Sequence, residues 1–439
     1  MSRNTADRLT VFSDREEPRS PPREQTVSVV GLGYIGLPTA AILADRGYRV
    51  HGVDVRPDVV ATINGGGIHI HEPHLDALVA KVVRSGRLTA STRPGEADVH
   101  FLCVPTPINA DTSADLSYVE AAARSIRPHV RRGNLIILES TSPPGTTERI
   151  VAPHAVPPEF EVGRDVFVSH CPERVLPGRI LIEAVENDRI VGGMTTRCAE
   201  KTRRFYEMFV TGGIFTTSAT AAETAKLVEN SFRDVNIAFA NELSMMCDQL
   251  GIDVHEIIEL ANRHPRVNIL SPGPGVGGHC ISVDPWFLVH ACPEQTPLIR
   301  QARGVNNHKP HVVLRRIVDA ARARGARTIG CLGLAYKADV DDLRESPSLE
   351  IVRELRAMDE FELLVCEPYV VANRFTEFPL TDLDDVLRRS DVLALLTDHA
   401  PFRNLPFETL QGKSVVDPRG TWRRTLREGG AAKSLPRAA

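Results

Sequence analysis

Cys280 follows a glycine-dense stretch, Gly273-Pro274-Gly275-Val276-Gly277-Gly278-His279, and precedes the carboxylate of Asp284 by four residues. A thiol attacks carbonyl carbon well once ionised, so a cysteine held on such a loop is a candidate nucleophile. Neighbouring glycines let backbone approach a ligand closely and take positive φ. A buried cysteine beside a turn is the alternative reading of the same residues. Upstream, Lys226, Asn230 and Arg233 fall at i, i+4 and i+7, which lines them along one stripe of a helix. A solvated helix face produces the same spacing, so the stripe alone decides nothing.

The elements that must position these residues begin at Thr26–Val30, an apolar strand running into Gly31-Leu32-Gly33-Tyr34-Ile35-Gly36. A helical pattern, Ala40 to Arg46, follows, and a second strand, Tyr48–Val53, ends at Asp54. Strand, G-x-G-x-x-G, helix, strand and acid together form a dinucleotide fingerprint. The glycines bring a pyrophosphate to a helix N-terminus, where unpaired N–H groups favour an anion. Asp54 accepts hydrogen bonds from a ribose and repels a 2′-phosphate, which favours NAD over NADP. Further strand–loop units, Asp98–Val104 and Leu135–Glu139, end beside Thr106 and Thr141. Ligands lie beyond the carboxyl ends of strands in such sheets, so these hydroxyls meet either a ligand or their own turn backbone. Val166–His170 is another strand and delivers Cys171-Pro172-Glu173-Arg174-Val175.

Thr220 and Glu223 read as a capping box, and no Gly or Pro interrupts the pattern from there to Gly251. About 30 residues make a helix of roughly 45 Å, long enough to span domains or form a subunit interface. A second α/β pattern runs from Thr328–Leu334 through a helix over 348–358 to strands at 362–366, 392–396 and 414–417. The expected fold class is α/β, with two Rossmann-like doubly wound domains joined by a long central helix. The expected divisions are a disordered extension at 1–24, where five basic alternate with five acidic side chains, and an NAD-binding domain at 25–215. A central helical domain with the cysteine loop follows at 216–305, then a sugar-nucleotide-binding domain at 306–425 and a loose basic tail at 426–439. The formal charge of -4 gives no electrostatic argument for nucleic acid as a partner, and no apolar run reaches membrane-span length. Eight scattered cysteines show neither C-x-x-C pairs nor metal-ligand spacing, and with no signal peptide the expected location is the cytoplasm.

From Thr26 to about Arg423 the chain resembles the nucleotide-sugar 6-dehydrogenase family, which includes the UDP-glucose and GDP-mannose dehydrogenases. The blocks Cys171–Gly178, Glu229–Glu242, Asn262–Leu270 and Pro272–Cys280 are similar to its UDP-N-acetyl-D-mannosamine dehydrogenase branch. The chain departs from the branch pattern in the N-terminal extension, between Thr147 and Val168, and after Met358. The resemblance implies a four-electron oxidation of a sugar C6 alcohol to a carboxylate, using two NAD⁺. It gives Lys226 the role of base or oxyanion stabiliser, Asn230 that of orienting the reacting oxygen, and Cys280 that of holding the aldehyde as a thiohemiacetal and then a thioester. Asp284, Glu173 and Thr141, in that order, are candidates to activate the hydrolytic water. Arg174, Val175, Arg233, His264, Arg266, Gly277, Tyr336 and Lys337 match positions that contact the UDP-sugar, and Arg344 one that reaches the cofactor. No metal is implied. A homodimer or higher homo-oligomer is, with the long helix at its interface and the substrate site completed from a neighbouring subunit. Within the enzyme class, a UDP-N-acetylglucosamine or UDP-glucose 6-dehydrogenase differs by a few hydrogen bonds, each worth about 1–3 kcal/mol when a partner is left unpaired. A zinc alcohol dehydrogenase built on Cys280 and His279 has no further ligand cluster to support it. From another class, a non-catalytic NAD-binding scaffold would keep the fold but has no reason to retain both thiol and lysine.

Overall fold

The computed structural model describes residues 25–176, 178–370 and 375–428. The extension 1–24 and residues 429–439 of the tail lie outside the described residues. The chain forms two compact units that divide after Glu229, inside the long helix, so the expected segment 216–305 is shared between them.

The first unit holds an eight-stranded sheet. Its strands are β1 (Thr26–Val30), β2 (Arg49–Val53), β3 (Leu88–Ser91), β4 (Val99–Leu102), β5 (Leu135–Leu138), β6 (Phe167–His170), β7 (Arg189–Gly193) and β8 (Ile214–Ser218). Their order is β3-β2-β1-β4-β5-β6-β7-β8. The first six run parallel in the doubly wound order of a dinucleotide-binding sheet. β7 pairs antiparallel to β6, and β8 follows β7 in parallel. Alternate residues serve opposite faces, as a two-residue period requires. Val27 and Val29 join Leu37, Ala40 and Leu43 in one core, while Val30, Leu102 and Ile136 join Val119 and Ile126 in the other. With both faces covered, the central strands β1, β4 and β5 are buried along nearly their whole length.

The expected uninterrupted helix spans Ala219–Leu250. Its expected capping box is not there. Glu223 turns instead to the 143–147 turn, where its carboxylate accepts from Gly145 N and from Thr147 N and Oγ1 at 2.5, 2.7 and 2.6 Å. A fully buried carboxylate needs such donors, and that turn supplies three of them.

The second unit holds a parallel sheet in the order β10-β9-β11-β12, from β9 (Thr328–Leu332), β10 (Glu362–Cys366), β11 (Val392–Leu395) and β12 (Ser414–Val416). One face packs on a 28-residue helix, Pro297–Arg324, through Val313, Leu314 and Ile317, and on Pro347–Met358 through Val352 and Leu355. The other buries Trp422 and Phe402. The basic tail expected to be loose from 426 begins inside a helix, Arg423–Glu428. Arg427 pairs there with Asp253 at 2.9 Å and Glu256 at 3.2 Å, drawn by the acidic start of the Val254–Ala261 helix. Among the described residues, no helix is long and apolar enough to cross a membrane.

Candidate active site

In the first unit the fingerprint is built by backbone approach. Gly31 has φ +92°, and a Cβ there would lie 2.6 Å from Cys103 O; a Cβ on Gly36 would lie 1.8 Å from Gly31 O. Neither position admits another residue. A Cβ on Gly33 would meet nothing within 4 Å, so the loop is open on that side. The helix Gly36–Asp45 starts without a side-chain cap. Leu37 N donates to Gly33 O and Thr39 N to Ile35 O, each at 3.1 Å, and Pro38 has no N–H, so what its start offers an anion is chiefly the positive end of the helix dipole. Tyr34 is exposed and Ile35 half-buried beside this opening. Asp54, at the carboxyl end of β2, braces the loop by accepting from Leu32 N at 3.1 Å and Arg56 N at 3.0 Å. The open glycine, the uncapped helix start and the acid at the next strand end fit a dinucleotide.

Beyond β4 and β5, Thr106 Oγ1 donates to Thr141 O at 2.6 Å, tying the two loops together. Glu173 is buried; Arg189 Nη1 meets one of its oxygens at 2.7 Å and Arg174 N donates to the other at 2.8 Å. Arg174 itself pairs with Glu229 at 2.8 Å. In this arrangement both oxygens of Glu173 are engaged, which favours a structural anion over a free base. Sequence reading missed Glu139, the buried acid ending the apolar run of β5. Tyr206 OH donates to it at 2.9 Å and Cys103 Sγ at 3.2 Å. Burial, then the charge of Glu173, pushes its carboxyl up to about 7. Its signal in the sequence was an acid placed directly after four core residues.

In the second unit the structure brings Cys280, Asp284 and Asn230 together. Asp284 opens the helix Asp284–Ala291, and its N–H donates to Cys280 O at 2.8 Å. Asn230, on the long helix, donates through Nδ2 to Asp284 Oδ2 at 2.5 Å, and both side chains are buried. Cys280 remains partly exposed. Two of the glycines before it take the positive φ expected of them, Gly275 at +151° and Gly278 at +83°, and the run also makes a close approach to another part of the chain. Cβ atoms on Gly275, Gly277 and Gly278 would lie 2.8 Å from Pro347, 2.3 Å from Glu345 O and 2.7 Å from the Tyr336 ring. The loop is pressed onto the 336–347 segment, and Gly278 N donates to Arg344 O at 3.1 Å. Gly277 and Tyr336 are thus packing partners of each other.

Lys226 stands one turn before Asn230 on the same helix and is half-buried, whereas Arg233 is exposed. His264 and Arg266 project from an exposed loop whose ends are clasped by Asn262, which donates to Ile269 O at 3.0 Å and accepts from Ile269 N at 2.7 Å. Lys337 lies past the carboxyl end of β9, half-buried. Arg344, expected at the cofactor, belongs to this second unit and pairs with Asp342 at 2.6 Å. Val175 follows Arg174 in the first unit and is half-buried.

Three family models match consecutive parts of the chain: the NAD binding domain of the UDP-glucose/GDP-mannose dehydrogenase family over 25–210, its central domain over 220–308 and its UDP binding domain over 330–424. The chain belongs to the UDP-glucose/GDP-mannose dehydrogenase family. It is an NAD-dependent nucleotide-sugar dehydrogenase. It is 52% identical over 411 residues to an NDP-N-acetyl-D-galactosaminuronic acid dehydrogenase of Ralstonia solanacearum, covering 91% of this chain and 96% of that one. It is 49% identical over 417 residues to the UDP-N-acetyl-D-mannosamine dehydrogenase of Escherichia coli, covering 91% and 99%. The solved UDP-N-acetyl-mannosamine dehydrogenase Cap5O from S. aureus superposes with a TM-score of 0.84 at 42% identity, covering 90% of this chain and 95% of that one.

Proposed function

We propose that this dehydrogenase oxidises C6 of a UDP-N-acetylhexosamine from alcohol to carboxylate, with UDP-N-acetyl-D-mannosamine as its substrate. The observation that carries the mechanism is the Cys280–Asp284–Asn230 grouping: a partly exposed thiol one turn from a buried carboxylate, itself held by a helix amide. The motif blocks around that grouping and the likeness to Cap5O support the manno sugar.

Bound NAD⁺ supplies the acceptor for the hydride lost at each of two oxidations, one NAD⁺ for each. Lys226 takes the alcohol proton or holds the developing oxyanion, which asks for a cation or base at that oxygen. Cys280 adds to the aldehyde carbon, and the C–S bond keeps the sugar in place until the second oxidation leaves a thioester. Water then attacks that carbon, with Asp284 accepting its proton, and the thiolate leaves. Asn230 keeps Asp284 turned toward the start of its helix.

A galacto substrate is the second reading, favoured by the 52% identity to the Ralstonia enzyme. The deciding assay incubates the enzyme with NAD⁺ and each of UDP-N-acetylmannosamine, UDP-N-acetylgalactosamine, UDP-N-acetylglucosamine and UDP-glucose, and counts NADH per sugar consumed. Two NADH per sugar, with the highest kcat/KM on the manno sugar, is expected. One NADH per sugar would end the thioester mechanism, none the enzymatic reading, and a galacto preference would exchange the two substrates.

We further propose a homodimer through the long helix. Phe232, Phe239 and Met246 recur every seven residues along it and are 68%, 50% and 44% exposed.

A further inference from the structure

The loop that carries Cys280 is hung at both ends on one helix. Asp284, at its far end, is held by Asn230. Gly273, at its near end, donates its N–H to Asn241 Oδ1 at 2.9 Å. Asn230 and Asn241 are eleven residues apart, three helical turns, so they share a face about 16 Å apart. A rigid rod therefore sets both anchor points of the loop.

The near anchor has a fixed polarity. Asp234 is buried and bound by Arg303 Nη1 at 2.6 Å, and a carboxylate accepts only. Asn306 must therefore turn its amide nitrogen to Asp234, which it meets at 2.8 Å on Oδ1 and 3.0 Å on the main-chain oxygen. Its oxygen is left facing Asn241, whose Nδ2 donates to it at 2.9 Å. That in turn leaves Asn241 Oδ1 for Gly273, with no other acceptor orientation consistent with the chain. The members are 0% (Asp234), 1% (Asn306) and 0% (Asn241) exposed, so water cannot substitute for a lost partner. A second tie holds the same helical turn: Lys309 Nζ donates to Ser244 Oγ, which donates to Asn241 O at 2.7 Å.

We propose that Asn241 is a positioning residue for the reaction: it sets the placement of the Cys280 loop, and the buried Asp234–Asn306 relay fixes which way its amide points. The role deepens the covalent reading of Cys280 and rests on it. A buried amide whose orientation is dictated by an ion pair two partners away is more than a helix contact needs. Packing alone is satisfied by either amide orientation, whereas an acceptor for Gly273 requires one. A displacement of the loop near 1 Å is enough to cost about 10²-fold in rate when a nucleophile must meet a held carbonyl.

The test is the Asn241→Ala variant of the full chain, with two separate readouts. In turnover, kcat falls about 10²-fold while the KM for NAD⁺ stays within about twofold. In chemical modification by iodoacetamide, peptide mass spectrometry shows the alkylation rate of Cys280 changed about threefold or more relative to Cys292, an exposed thiol in the same chain. Asn241→Asp guards against misfolding, because its protonated form both donates to Asn306 and accepts from Gly273. Its activity rises as pH is lowered, in a step the parent enzyme lacks. The charged groups around that site are Asp234 on the long helix, Arg303 and Lys309 on the Pro297–Arg324 helix, and Arg419 beside Gly273. Wild-type kcat together with an unchanged Cys280/Cys292 ratio in Asn241→Ala overturns the proposal. Acid formation by Cys280→Ala at the parent rate would instead overturn the covalent reading, while the alkylation ratio still measures where the loop sits.

Discussion

At the scale of the residue, Cys280 decides between a covalent and a direct route to the acid. Its carbonyl already bonds the Asp284 N–H, so a serine in its place keeps the turn while replacing the nucleophile. Cys280→Ser is expected to lower carboxylate release by at least about 10²-fold, measured by mass spectrometry of the sugar product. Steady acid production by that variant removes the thioester. Gly277 carries a different demand. A Cβ there would stand 2.3 Å from Glu345 O and 2.7 Å from Pro347 Cδ, and backbone cannot swing aside as a side-chain tip can. Gly277→Ala is expected to cost about 1–3 kcal/mol, lowering Tm by roughly 2–10 °C. An unchanged Tm would show that the loop is not pressed on the 336–347 segment. The glycine run was legible as unusual backbone, but not what it was unusual for. Its partners lie about 60 to 70 residues downstream, and no local spacing announces a contact at that distance. Asn241 was hidden for the same reason, since an asparagine inside a long helix looks like any polar surface position until Asn306 and Gly273 are placed against it.

At the scale of the element, strongly periodic or apolar stretches were legible and their exact uses were not. β1, β4, β5 and β6 stood out because strands buried on both faces are nearly all apolar. β3, β7 and β8 did not: Leu-Thr-Ala-Ser and Ile-Phe-Thr-Thr-Ser mix hydroxyls into the two edge strands, and Arg-Ile-Val-Gly-Gly gives β7 only two apolar side chains. The sheet interior also contains polar residues that the apolar pattern passes over. His100, on β4, is 0% exposed, and burial, then His129, lowers its pKa to about 4. A histidine with a depressed folded-state pKa binds fewer protons folded than unfolded. Its contribution is therefore intact above the ordinary pKa of 6.5 and is lost as pH falls from there toward 4. The loss over that window is about 3 kcal/mol. His100→Phe is expected to flatten the acid limb of the Tm–pH curve over the same window. An identical acid limb in the variant would assign the acid sensitivity elsewhere.

At the scale of the whole molecule, the long helix sets the remaining question. Its buried face carries Asn230, Asp234, Asn241 and Ser244, all spent on hydrogen bonds to the cysteine loop and the Pro297–Arg324 helix. Its exposed face carries Phe232, Phe239, Met246 and Leu250, the last 61% exposed. A helix that buries several polar side chains beside Leu227, Ala238, Ala240 and Cys247 while leaving Phe232, Phe239, Met246 and Leu250 exposed departs from the usual arrangement, and the departure makes sense if a second apolar surface covers those exposed side chains. A second copy is the economical occupant, since a two-fold axis lets each helix cover the other with the same residues. Large aromatic side chains at the centre of such a patch carry most of the binding energy. The parent enzyme is therefore expected to run at twice 48.2 kDa in light scattering after gel filtration. The double variant Phe232→Asp, Phe239→Asp is expected to run at 48.2 kDa, because two buried carboxylates per copy without partners cost several kcal/mol. If a neighbouring copy completes the substrate site, activity falls with the mass and recovers at protein concentrations that restore the dimer. A monomeric parent enzyme, or a double variant with unchanged mass, removes the helix from any role in assembly.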